Sequence, residues 1–223
     1  MVDWEERAVR AAERYEEGLA RLPEEPDERQ RQLTRMGNAA WAAGLSLLML
    51  DRRDEGHAWL LRAADRYRES WPDAPPGSWG RPIGAMKSRL IADDIEGARD
   101  DAVWAIDAGA ADSESPIGRY AAALAHLVLG EDEAASALAT TLRGIDGFPA
   151  AVTDTVAALS AGDASGYDAT IGALVDDFEG RTEFLEDTPV ADTVLAFQML
   201  ASERGLAVEV VSPMVPPPSK RSG

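Results

Sequence analysis

The chain is 223 residues long, and its 40 acidic residues against 22 basic ones give a formal net charge of −18. A hydrophobic fraction of 45% is enough for a globular core, so a disordered chain does not fit, and the absence of cysteine excludes a disulfide scaffold. No basic stripe is present to displace phosphate counterions, which argues against direct binding of nucleic acid or an anionic membrane.

The start, Met1 to Arg7, lacks the basic region and apolar run of a signal peptide, and a cytoplasmic protein is expected. Trp4, Ala8, Ala11, Ala12, Tyr15 and Leu19 recur every three or four residues, which predicts an amphipathic helix that Pro23 and Pro26 bring to an end. Further helices are predicted over about 27–50 and 54–70, each opened by an acidic residue suited to the positive end of a helix. The longest apolar stretch, Asn38 to Leu50, is broken by small and polar residues and is too short to cross a hydrocarbon layer of about 30 Å. It reads as a buried helix.

The segment from Trp71 to Pro82 carries four further prolines and glycines between two tryptophans and predicts a conspicuous loop. Short helices are then expected over about 82–92, 95–108, 116–129, 132–143, 148–161, 164–179 and 189–204, with stops at Gly130, Gly144 to Gly147, Gly162 and Gly205. Only Ala207-Val208-Glu209-Val210-Val211 alternates like a strand, and the prolines beyond it point to an extended strap followed by a loose tail. The expected organisation is a single all-helical domain over 1–211 and a Pro-rich flexible tail over 212–223.

Four predicted turns are alike. Leu48-Met49-Leu50-Asp51, Leu90-Ile91-Ala92-Asp93, Leu127-Val128-Leu129-Gly130 and Leu159-Ser160-Ala161-Gly162 each end a helix on apolar residues, then pass through a short polar turn to a small residue. This pattern resembles degenerate tetratricopeptide repeats, whose hairpins stack into an α-α array. The spacings of 42, 37 and 32 residues between Asp51, Asp93, Gly130 and Gly162 scatter around the roughly 34 of that family. The resemblance covers roughly residues 30–180. A second, shorter one lies at the C-terminus, where Val190 to Leu206 followed by Ser212-Pro213-Met214-Val215-Pro216 resembles the closing helix and Ser-Pro-x-x-Pro segment of some all-helical immunity proteins that neutralise polymorphic toxins.

The acidity is spread along the whole chain, and Lys87 and Lys220 are the only lysines. Such a composition resembles that of haloarchaeal cytoplasmic proteins, whose solvated carboxylates keep them soluble in molar salt. An acidic actinobacterial protein is the competing origin.

Catalytic motifs are scarce. A thiol nucleophile is excluded, and His57 and His126 are too far apart in sequence, with no Glu-x-x-His pattern, to suggest a helical metal site. Asp93-Asp94-Ile95-Glu96 superficially has the form of a magnesium motif, but acids at a turn between helices serve as caps. No glycine-rich phosphate loop occurs, and no metal or other cofactor is expected.

All six tryptophans fall within the first 104 residues. Four sit on predicted helical faces, whereas Trp71 and Trp79 flank the loop, where an indole either clamps the loop to the core or forms a contact surface. Beside them Arg81, Lys87 and Arg89 make an island of positive charge that could receive an acidic peptide or a carboxylate, or could pair with acids such as Asp93 and Glu69. Two main functions, and a third, follow. The first is a non-enzymatic scaffold or adaptor that binds a protein or peptide of unknown identity, with Trp71, Trp79, Arg81, Lys87 and Arg89 as candidate contacts. The second is an enzyme or small-molecule receptor using Arg81, Lys87 and Tyr120, and toxin neutralisation is a further alternative.

Overall fold

The computed structural model describes residues 2–218, and among them ten α-helices and two 3-10 turns follow one another with no strand. The helices are α1 (Trp4–Ala20), α2 (Pro26–Met49), α3 (Arg53–Glu69), α4 (Gly80–Ile91), α5 (Ile95–Asp107), α6 (Pro116–Leu129), α7 (Asp132–Leu142), α8 (Ala150–Ala161), α9 (Ala164–Glu179) and α10 (Asp192–Glu203). The 3-10 turns are Ala110–Asp112 and Leu185–Asp187. No helix of the described residues is long and apolar enough to cross a membrane.

The four similar turns share one backbone geometry. Asp51, Asp93, Gly130 and Gly162 have φ of 59°, 61°, 77° and 64°, the left-handed conformation that ends a helix. Each donates its N–H to the carbonyl three residues back, at 3.0, 3.1, 3.2 and 3.2 Å, and the next residue donates to the carbonyl five residues back, at 3.0, 2.9, 2.8 and 3.1 Å. The following helix then starts at once, so α2/α3, α4/α5, α6/α7 and α8/α9 are four hairpins joined by the same turn. Glycine meets no steric penalty there, and aspartate is among the few other residues that visit this region readily.

Helices next to one another in sequence pack against each other, and α4, α6 and α8 also touch to form an inner layer flanked by α5, α7 and α9. Small residues set the spacing. Tyr67 of α3 fits a slot between α2 and α4 because a Cβ at either Gly37 or Gly84 would lie 2.8 Å from its ring, and its hydroxyl donates to Asn38 at 2.9 Å.

After α9 the chain does not stop at the end of the array. Residues 180–191 return to α1 and α2, where Arg7 bonds the Asp187 carbonyl and Arg14 pairs with Glu186. The last helix, α10, then packs chiefly on α4 and also meets α8 and α9, burying Val194, Phe197 and Leu200. The strap that follows is held by Gln198, whose side-chain amide donates to the Val208 carbonyl at 2.6 Å.

Three boundaries differ from the sequence reading. The fourth helix begins at Gly80 instead of Pro82, so Pro82 falls within its first turn, where a proline lacking its N–H is tolerated. The eighth helix begins at Ala150 instead of Phe148, with Pro149 extended before it. The last begins at Asp192 instead of Pro189, with Ala191 just outside it donating its N–H to the Met214 carbonyl at 2.8 Å. The tail expected from 212 is anchored over its described part: Val215 is buried, Ser212 bonds Glu179, and Arg53 donates to the Pro217 carbonyl. Residues 219–223, with Lys220, lie outside the described residues.

Candidate functional site

Loop 71–79 folds back on itself, with the Ala74 N–H bonding the Trp71 carbonyl at 2.9 Å and Ser78 Oγ bonding the Pro75 carbonyl at 2.7 Å. This turns both indoles inward. Trp71 is half-buried, with its ring 5.5 Å from Trp79 and 5.5 Å, edge-on, from Trp104 of α5. Trp79 is only 8% exposed, and its Nε1 lies only 2.7 Å from where a Cβ on Gly118 of α6 would be. The absence of a side chain at Gly118 is what admits the indole.

The three cations find partners within the fold. Arg81 is 7% exposed and donates to the Ser70 carbonyl and the Gln30 side chain, and burial lowers its pKa. Lys87 lies 2.5 Å from Asp192 and 2.9 Å from Thr193 Oγ1. Arg89 meets Asp65 at 2.9 Å and Asp94 and Asp101 at 2.7 Å each, with Asp101 fully buried and also held by Arg68 at 2.6 Å. These partners are not the Asp93 and Glu69 that proximity in sequence suggested. Arg68 stacks on Trp104 at 5.3 Å, so Trp71, Trp79 and Arg89 belong to one connected network, while Arg81 and Lys87 bond on other sides of α4. Tyr120 packs against Phe148 at 5.8 Å, and its buried hydroxyl has no partner among the described residues. Burial first, and the Asp192 carboxylate second, push its pKa well up, so it stays a neutral phenol.

An open cleft of about 1050 Å³ lies elsewhere, between α1 and residues 182–189. Asp3, Glu6, Arg10, Glu13 and Glu17 recur at three and four residues along its α1 wall, Ala11 and Ala42 line its floor, and Phe184, Glu186 and Asp187 stand opposite. Glu186 and Asp187 both have φ of 53°, an unusual pair of left-handed residues. The arginines of this wall are already engaged: Arg7 with the Asp187 carbonyl, Arg10 with Glu6 and Arg14 with Glu186. Six carboxylates against three paired arginines leave the cleft acidic. Sequence reasoning missed it because residues 182–189 carry no periodicity; the charged i, i+3, i+7 rows of α1 were the one available signal.

A smaller hollow of about 250 Å³ sits where the ends of α4, α6 and α10 meet. No tyrosine lines it, and its Arg204 is bonded to the Leu127 carbonyl at 2.7 Å and to Asp132 at 3.0 Å. Among the described residues no three histidine, aspartate or glutamate side chains are grouped to hold a metal ion. Asp94 instead caps α5 through the Gly97 N–H at 3.0 Å. No family model, no curated protein and no solved structure matches the chain.

Proposed function

We propose that this is a non-enzymatic interaction protein, a tetratricopeptide-like helical array that binds a basic segment of a protein partner in the cleft beside α1. The observation that carries the reading is the cleft itself: at about 1050 Å³ and open to solvent, it suits a peptide better than an enclosed small molecule. Its surplus of carboxylates selects a cationic occupant, and the acidity of the whole chain would speed its arrival. The four repeated turns support the family assignment. The immunity-like C-terminal segment supports a toxin as one class of partner. A catalytic or small-ligand site at 71–89 has less support, because its cations are engaged in internal bonds.

Affinity capture from the native host, at that host's own salt concentration, tests the reading. One specific partner should be retained by the wild type and lost on Glu13→Lys with Glu17→Lys, two changes on the exposed side of α1. A partner held equally by the charge-reversed protein would remove the cleft, and no partner at all would remove the function.

A further inference from the structure

Residues 207–211 leave most of their main-chain groups unused. None of them makes a backbone–backbone hydrogen bond to another described residue, although the segment is anchored at both ends. The Leu206 N–H bonds the Ala201 carbonyl at 2.8 Å, and the Met214 carbonyl accepts from Ala191. Exposure alternates along the strap: Leu206, Val208 and Val210 are half-buried against the core, while Ala207, Glu209 and Val211 are exposed. With no helix, turn or bend over 206–212, this period of two fits an extended segment.

One edge of this extended segment faces the protein, since Gln198 reaches the Val208 carbonyl from α10. In an extended chain successive residues direct their N–H and C=O to opposite edges. The groups of Ala207, Glu209 and Val211 therefore face away from Gln198. Such an edge is a template for another strand.

We infer that 207–211 is a docking edge for an extended segment of another protein, which adds as a strand along Ala207, Glu209 and Val211 and sets a lysine or arginine against Glu209. Charge chooses this occupant. A second copy of the strap, in the antiparallel register that pairs all five residues, would place Glu209 directly opposite Glu209, and like charges so placed destabilise a strand pair. A basic segment meets the opposite situation on a chain of net charge −18. Val211, 83% exposed, offers the added strand an apolar neighbour on the same face as Glu209. This edge is separate from the α1 cleft and does not depend on it.

The test uses the full chain and a capped peptide of alternating threonine and valine with a central lysine, read by amide hydrogen exchange and by fluorescence anisotropy of the labelled peptide. Binding should slow exchange at Glu209 and Val211 and leave Val208 and Val210 unchanged. Glu209→Pro removes an edge donor while keeping the inward valines, and should weaken binding about tenfold, whereas Glu209→Ala should weaken it less. Glu13→Lys with Glu17→Lys should have no effect, which separates this edge from the cleft. Absence of binding, unprotected amides at Glu209 and Val211, or equal affinity for Glu209→Pro would overturn the proposal. Protection of those amides that grows with protein concentration, without peptide, would also overturn it by assigning the edge to a second copy.

Discussion

Lys87 on α4 and Asp192 on α10 form an ion pair of 2.5 Å with side chains only 12% and 14% exposed, and this pair fixes the start of the last helix to the inner layer. Removing one member strands the other's charge in a partly dry site. Lys87→Met should lower stability by about 3 kcal/mol, while adding Asp192→Leu should recover most of the loss, because a buried pair replaced by apolar groups of similar size is often nearly neutral. Urea titrations of the two variants would decide this, and a double variant as weak as the single one would refute it.

Trp79 is a clamp on the fold by its placement against Trp71 and Gly118. Trp79→Ala should reduce stability by about 3 kcal/mol, the order expected for truncating a buried aromatic. Thermal melts check this. Gly118→Ala should also melt early, since its Cβ would meet both the indole and Ser113 Oγ, the latter at 2.2 Å.

The repeated turn allows a clean measure of backbone strain. A Cβ at Gly130 would meet nothing within 4 Å, so Gly130→Ala tests conformation alone and should destabilise by roughly 1 kcal/mol. Asp93→Gly, at the corresponding turn, should change the stability little. Equal and large losses at both sites would show that contacts, not φ, govern the turn.

Salt should stabilise the protein. With 40 acidic residues against 22 basic ones, self-repulsion opposes the compact state in dilute buffer, and the melting temperature should climb through the molar range of potassium chloride. A flat response across that range would dismiss a halophilic origin.

His57 links stability to pH. Burial first, with Arg53 adding to it against the opposing pull of Asp93 and Asp54, lowers its pKa below the ordinary 6.5, so the unfolded chain takes up this proton before the folded one does. Its contribution is complete above pH 6.5 and is lost as pH falls through the lowered value. His57→Gln should narrow the stability difference between neutral pH and about one unit below 6.5. Chemical denaturation at the two pH values reads it directly.

Much of the helical architecture was legible because it is local. Apolar residues at three- and four-residue intervals, together with Asp51, Asp93, Gly130 and Gly162 as stops, located the hairpins to within a residue or two. At Pro82 the start was read two residues late, because a proline suits any position of a first turn and does not say which one it takes. The chemistry of the 71–89 region was less legible. Arg81, Lys87 and Arg89 look free beside one another in sequence, yet their partners, Gln30, Asp192 and Asp101, come from other helices that only the folded chain brings near. The cleft shares that difficulty, for one wall is α1 and the other lies more than 160 residues further on.

The return of residues 180–217 across the array changes how the molecule should come apart. In an open stack of hairpins each unit touches only its neighbours, so ends can fray and units can be added or deleted with graded effects. Here Arg14 is joined to Glu186, Lys87 to Asp192, and Arg53 to the Pro217 carbonyl, so the last segment is stitched to α1 and to the first two hairpins. The chain closes into a loop of mutual dependence. It should unfold in one cooperative step, with amides of the first and last helices exchanging at similar rates, and a version shortened before α10 would lose the whole fold instead of its final turn.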